Sequence, residues 1–281
     1  MKVALHIVNA RRAKLAALLE QHRFLPVKEL CKRLEISEAT ARRDLAALVE
    51  EKKITRTFGG ALKEFNDRFP SFRERQSQSA RGKARIAKAA LSLIESGKTY
   101  FFDSGTTIHS IAKAFSEAPV TPVKIVTSNL PVSEMLAALP GVEVFLLAGQ
   151  LLHLQSTLLG QTALRSLEFW HFDRAFLSAE AMTPSGIWNS QLAIVEQQKI
   201  VLRRSTHHVF CLDGSKLGRQ APHLLVGWDE VESLITDLPL KKLAAAGISL
   251  DPSRYLDLTE PPDGRPAEPP DQDDDMPVHI L

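Results

Sequence analysis

From Arg81 onward the chain alternates two hydrophobic periods, and few architectures satisfy that alternation. Ile86, Ala90, Leu93 and Ile94 recur at helical spacing, and the apolar run Thr99–Phe102 follows. Ile108, Ile111, Ala112 and Phe115 form a second helical face before the run Val123–Thr127, and Val132, Met135 and Leu136 precede Val142–Leu147. Further strands are expected at Arg174–Ser178, His207–Leu212 and Ser233–Thr236, with a helix over about 192–204. Short apolar runs joined through helices predict a mostly parallel α/β sheet.

The first sixty or so residues follow another pattern. Residues 11–21 predict a helix with Leu15, Leu18 and Leu19 on one face, and Val27, Leu30, Cys31 and Leu34 repeat at i, i+3, i+4 and i+7. Glu35-Ile36-Ser37 interrupts the repeat, and Ser37 suits an N-cap because its hydroxyl can accept from an orphan amide of the next turn. The third helix turns Ala41, Leu45 and Leu48 inward and leaves Arg42 and Arg43 outside. Ile54–Thr57, Gly59-Gly60 and Ala61-Leu62 predict a strand, a tight turn and the start of a second strand. The chain is expected to be α+β overall, with a winged helix-turn-helix over residues 1–62, a linker over 63–80 and an α/β domain over 81–258. Residues 259–281 are rich in Pro and acids and are expected to form a disordered tail.

A formal net charge of +2 conceals an asymmetry. Residues 1–62 carry six Lys and seven Arg against six Glu and one Asp, whereas residues 256–281 carry eight acids against Arg265. A basic head is the electrostatic footprint of a nucleic-acid binder. The only cysteines, Cys31 and Cys211, lie far apart outside any metal-type spacing, which argues against a disulfide framework and for a reducing compartment. The opening apolar run is too short for a signal peptide, and no run approaches the roughly 20 apolar residues that span a bilayer. A cytoplasmic protein without membrane contact is expected. His207 and His208, adjacent on a strand, are expected to face opposite sides, and no GxSxG, HExxH or Walker sequence occurs, so neither metal nor cofactor is expected.

A helix, a short turn and a capped helix bearing adjacent arginines suit insertion into the major groove of double-stranded DNA. Ser37 and Thr40 offer hydroxyls to phosphates or base edges, Arg42 and Arg43 offer forks that match guanine, and Arg56 on the wing reaches toward the backbone or minor groove. The same pattern fits a three-helix interaction domain whose arginines are merely solvated. In the second domain, Tyr100–Phe102 leads into Asp103-Ser104-Gly105-Thr106-Thr107, where a helix starts at once. Such a turn aims backbone amides and the positive helix end at one point, and the hydroxyls of Ser104, Thr106 and Thr107 add donors for a phosphate or another anion. A capped turn that binds nothing is the competing reading.

These motifs together resemble the DeoR family of bacterial regulators. The head carries the resemblance in Val27-x-Glu29-Leu30, Ile36-Ser37-x-x-Thr40-x-Arg42-Arg43-Asp44-Leu45 and Arg56-Thr57-Phe58-Gly59-Gly60-Ala61, with Ala41 where a bulkier aliphatic residue is usual. It continues through Asp103–Thr107, Thr127-Ser128-Asn129 and Asp213-Gly214-Ser215-Lys216, and covers nearly the whole chain except the tail. It implies a sensor domain similar to ribose-5-phosphate isomerase that binds a phosphorylated sugar or related metabolite, in a homo-oligomeric repressor of operator DNA. It also implies an effector site built from Asp103, Ser104, Gly105, Thr106, Thr107, Thr127, Ser128 and Asn129, with Lys216 as a point charge for phosphate. Asp173, Glu196 and Lys199 are implied nearby. Gln150, Ser178 and Ala181 stand where the family commonly has glycine, which adds side chains near that pocket. Asp103, Asp173, Glu196, Lys199 and Lys216 are also the residue types an isomerase needs, so the alternative is an enzyme carrying a DNA-binding head.

Overall fold

The computed structural model describes residues 5–22, 24–51, 54–57, 60–63, 71–256 and 258. The head comprises α1 (Leu5–His22), β1 (Phe24–Pro26), α2 (Val27–Leu34), α3 (Glu38–Glu50), β2 (Ile54–Thr57) and β3 (Gly60–Lys63). The apolar stripes of the three helices meet, so that Leu15, Leu19, Leu25, Val27, Leu30, Ala41, Leu45 and Leu48 bury in one core. Glu35 turns the chain between α2 and α3 in a left-handed conformation, with φ of 52°. Ser37 then caps α3, its Oγ accepting from the Thr40 amide at 3.2 Å. Asp44, 1% exposed on the inner side of α3, accepts from Arg11 Nε at 2.5 Å and Arg12 Nε at 3.2 Å, which ties α1 to α3.

Two features of the head differ from the expectation. Helix α1 starts at Leu5 rather than at residue 11; Ile7 in its first turns is half exposed, so no apolar stripe marks them. Strand β1, three residues ending in Pro26, is too short for a period-two signal, yet it pairs antiparallel with β3, Phe24 opposite Leu62. The order β1-β3-β2 makes a three-stranded wing sheet. Phe58 and Gly59 of the expected turn lie outside the described residues, as does the tail over 259–281.

The second domain runs through α4 (Phe72–Ser77), α5 (Ala80–Leu91), β4 (Thr99–Phe102), α6 (Thr106–Glu117), β5 (Val123–Thr127), α7 (Leu130–Ala137) and β6 (Val142–Leu146). It continues with β7 (Gln150–Leu152), β8 (Thr157–Leu159), α8 (Gln161–Leu167), β9 (Phe172–Leu177), β10 (Ala181–Thr183), β11 (Gly186–Asn189) and α9 (Leu192–Arg203). The last elements are β12 (Ser205–Cys211), β13 (His223–Val226), β14 (Ser233–Ile235), α10 (Leu240–Ala245) and β15 (Tyr255–Leu256). Its seven-stranded sheet has the order β15-β14-β12-β9-β4-β5-β6, and every pairing is parallel. Side chains alternate across it: Phe101 joins the core on one face, Tyr100 and Phe102 the core on the other. From β4 the chain winds to β5 and β6 on one side, then crosses to β9, β12 and β14 on the other. The end of β4 is therefore the switch point, where open α/β sheets leave a crevice.

The span 63–80 expected as a linker includes regular structure among its described residues. Lys63 is the last residue of β3, and residues 72–77 form a helix. A capping box holds that helix: the Glu74 amide donates to Ser71 Oγ at 3.3 Å, and the Ser71 amide to Glu74 Oε2 at 2.6 Å. Phe72, buried to 7% exposure, sets its ring edge-on to His109 of α6 with 5.3 Å between centroids. Six residues carry too little periodicity to announce a helix, although the Ser-x-x-Glu signature stands in the sequence.

Candidate functional site

The loop after β4 is shaped by close contacts. Gly105 has a φ of 114°, and a Cβ there would lie 2.5 Å from Ser178 Oγ, so a side chain is excluded on both counts. Ser178 Oγ donates to the Ser104 carbonyl at 2.8 Å, pinning this loop to the end of β9. Asp103 is almost wholly buried; its Oδ2 accepts from the Ser178 amide at 3.0 Å and from Gln198 Nε2 at 2.7 Å. Its Oδ1 makes no hydrogen bond of good geometry, although the Ser104 amide and hydroxyl lie close enough to the carboxyl to favour its charged form. Burial raises the Asp103 carboxyl to about 6, against the lowering effect of those hydrogen bonds. Thr106 and Thr107 are buried at the start of α6.

The neighbouring strand ends in Thr127-Ser128-Asn129, all fully buried. Thr127 Oγ1 accepts from the Asn129 amide at 3.0 Å, and Asn129 Oδ1 caps α7 by accepting from the Val132 amide at 3.2 Å. Ser128 Oγ receives Thr157 Oγ1 at 3.0 Å and Gln197 Nε2 at 2.9 Å. Asn129 Nδ2 and Gln197 Oε1 are buried without a partner. The carboxyl ends of β4 and β5 and the inner face of α9 thus hold unsatisfied polar atoms of both kinds, donor and acceptor.

Cations gather beside this crevice. Lys216 closes a short turn after β12, its Nζ 3.9 Å from Asp213 Oδ2. Burial lowers the Lys216 ammonium, with Asp213 and Glu180 opposing and Arg219 and Arg75 adding to the lowering. Lys83, 2% exposed on α5, donates to the carbonyls of Arg75 at 2.6 Å and of Gln78, and burial brings it down to about 8. Arg75 of α4 is also desolvated; it donates to the Leu154 carbonyl at 3.3 Å, and its own carbonyl accepts from Thr106 Oγ1 at 3.4 Å. Arg75, Lys83, Lys216 and Arg219 therefore gather about Asp213 and Glu180, with Asp237 beside Asp213.

Three residues implied for this site stand elsewhere. Asp173 lies at the amino end of β9, where it accepts from the Thr99 amide at 2.8 Å and pairs with Lys98 at 3.3 Å. Parallel strands put that end of the sheet opposite the crevice, so Asp173 fastens the start of β9 to the start of β4. Glu196 and Lys199 lie on the exposed face of α9. The residues that face inward are Gln197 and Gln198; Gln198 Nε2 also reaches the Ser178 carbonyl at 2.7 Å, and its Oε1 accepts from Asn189 Nδ2 at 2.7 Å. Ile194 and Val201, seven apart and buried, already set that helical phase.

In the head, Ser37, Arg42 and Arg43 are exposed at the start of α3 and Thr40 is half-buried. Arg42 makes an exposed i,i+4 pair with Glu38 at 3.2 Å, and the Ser37 and Thr40 hydroxyls lie 2.9 Å apart. Arg56 sits in β2, opposite Ala61. His208 packs edge-on with Phe210 two residues on, as alternation predicts, yet both His207 and His208 reach one carboxylate at the sheet edge. Glu232, just before β14, lies between them, 2.5 Å from His207 Nδ1 and 3.5 Å from His208 Nδ1. Among the described residues no group of three His, Cys, Asp or Glu could hold a metal ion, and no helix is long and apolar enough to cross a membrane.

Comparison with known proteins agrees with this division of labour. Residues 11–65 match the DeoR-like helix-turn-helix domain, and residues 78–238 match the DeoR C terminal sensor domain. The chain is 28% identical over 220 residues to the HTH-type transcriptional repressor GlcR of Bacillus subtilis, covering 78% of this chain and 84% of that one. It is 29% identical over 231 residues to the lactose phosphotransferase system repressor of Lactococcus lactis, covering 81% and 90%. Ribose 5 phosphate isomerase A from Neisseria gonorrhoeae aligns with a TM-score of 0.37 at 16% identity over 49% of this chain and 53% of that chain, an extent that assigns no chemistry. The chain belongs to the DeoR family: it is a DNA-binding transcriptional regulator with a helix-turn-helix head and a sensor domain, not an enzyme.

Proposed function

We propose that this regulator is a repressor that releases its operator when a phosphorylated sugar enters the crevice at the ends of β4 and β5. The observation that carries the reading is the pairing of unsatisfied buried atoms with a cluster of four cationic side chains. Asp103 Oδ1 and Gln197 Oε1 are unsatisfied acceptors and Asn129 Nδ2 an unsatisfied donor, a set that suits the hydroxyls of a sugar. Lys216, Arg75, Lys83 and Arg219 supply charge for a phosphate, which the amides and hydroxyls of Ser104, Gly105, Thr106 and Thr107 would cradle. Thr127 and Ser128 hold the neighbouring strand end in place. Asp173, Glu196 and Lys199 are left out of the site. The names of the relatives, both repressors and one of a sugar phosphotransferase system, support the same direction of control.

The operator would be read by Ser37, Thr40, Arg42 and Arg43 on α3, with Arg56 on the wing, in a homo-oligomer that presents paired heads. Helix α4 offers the route between the two functions. It follows the wing by a short segment, and it carries Arg75 into the cation cluster while Phe72 grips His109. A ligand that draws on Arg75 would shift α4, and operator affinity would change by the difference in its affinity for the two states.

A thermal-shift series with a panel of sugar phosphates and the parent sugars tests this, since a true ligand raises the midpoint by mass action. One phosphorylated sugar should raise it, and Thr106→Ala and Lys216→Ala should each abolish that rise while leaving operator binding intact. Equal shifts in both variants would sink the pocket.

A further inference from the structure

The sensor sheet ends differently at its two edges. On one side β15 is only two residues long. On the other β6 spans five residues, Val142–Leu146, and among the described residues no strand pairs with its outer side. An open edge is usually blunted by a proline, a lysine, a bulge or a covering helix. Strand β6 has neither Pro nor Lys, and its one charge, Glu143, is answered by Lys124 of β5 at 4.0 Å.

The surface beside this edge is apolar. Phe145 of β6 is 37% exposed and meets Trp170 in a T-shaped contact with 4.7 Å between centroids. Phe169, next along the chain from Trp170, stands 89% exposed. Against it lies an open recess of about 490 Å³ lined by Thr162, Arg165, Ser166, Phe169 and Trp170. Leu146, also exposed, points to the other face of the sheet, beside Thr127 of β5, so both faces of this edge present apolar surface to water.

We propose that this face, the outer edge of β6 with Phe145, Trp170 and the Phe169 knob, is where a second copy of the chain docks about a two-fold axis. A protruding aromatic and a recess side by side on one face are what a self-complementary contact requires. Antiparallel pairing of two β6 strands about Val144 sets Glu143 opposite Phe145 and Val142 opposite Leu146, so no like charges meet. The hydrogen-bonding groups of the edge add to the apolar patch toward the roughly 800 Å² per partner that a stable pair buries. The proposal rests on the oligomeric reading above only for the existence of a second copy.

Sedimentation equilibrium of the full chain separates the two. The wild type should be dimeric or a higher even oligomer at micromolar concentration, and Phe169→Asp should weaken self-association by about 30-fold or more. Its thermal midpoint in the dilute, monomeric range should match the wild type, because removing so exposed a ring opens no core. In a Cys31→Ser background, Val144→Cys should form an intermolecular disulfide under mild oxidation, since residues facing across the axis lie within bridging distance. A monomeric wild type would overturn both the oligomer and its surface. An oligomer unaffected by Phe169→Asp, or one in which Val144→Cys does not cross-link, would overturn the surface alone.

Discussion

At the scale of single residues the sensor holds one group that works against its own fold. Asp103 titrates near 6 in the folded chain against 3.8 for an unhindered side chain. The folded state therefore holds the proton more tightly between pH 4 and 6, and stability falls as pH rises through that window, by at most about 3 kcal/mol. Above about pH 6 the cost is complete. Asp103→Asn keeps an acceptor for the Ser178 amide and Gln198 while removing the charge. Its ligand-free thermal midpoint should exceed the wild type at pH 7 by about 5 °C or more and converge with it near pH 4. The same change should weaken effector binding, because the unsatisfied acceptor becomes an amide donor. A midpoint at pH 7 below the wild type would refute the account. This is also the scale at which the sequence misled. Motif likeness pointed to Glu196 and Lys199, but the buried phase of α9 selects Gln197 and Gln198, and uncharged amides do not stand out as ligand groups. The resemblance also implied Asp173 near the site, but it opens its strand where Asp103 follows the end of one. Only the strand direction distinguishes the two.

Among the elements, α4 connects most with least. Phe72 is its anchor, and truncation to Ala should cost about 3 kcal/mol, measurable as a lower denaturant midpoint. Its functional signature should be separate: effector still binds, but operator release at saturating effector is reduced several-fold in fluorescence anisotropy. Unchanged release in a folded Phe72→Ala protein would remove α4 from the route. Removing the cap with Ser71→Ala should cost about 1 kcal/mol and act in the same direction. Elements of this length are where sequence reading runs out. The strands β4 and β5 were legible to the residue because each is a short, mostly apolar run bounded by polar turns. Elements such as β1, β7, β15, α4 and α10 complete less than two turns or carry too few alternations for any period to emerge. They are set by tertiary pairing instead, as β1 is by β3.

On the scale of the whole molecule, self-association and DNA binding are linked, and salt can measure the link. Each phosphate neutralised by a protein cation contributes about 0.9 to the slope of log affinity against log salt. Arg43 is exposed near the start of α3, and Arg42 beside it pairs with Glu38 in a solvent-exposed contact at 3.2 Å. Surface pairs of that kind contribute little, so both arginines can be redirected to DNA at small cost. If Arg43 contacts one phosphate per head, Arg43→Ala in a dimer that engages two half-sites should reduce the slope by about 1.8. In the Phe169→Asp background a single head occupies a single half-site, and the same substitution should reduce it by about 0.9. The difference between backgrounds cancels uncertainty in the total number of contacts, because each comparison subtracts its own parent. Equal losses in the two would mean that the heads act singly and that the β6 face does not pair them on DNA.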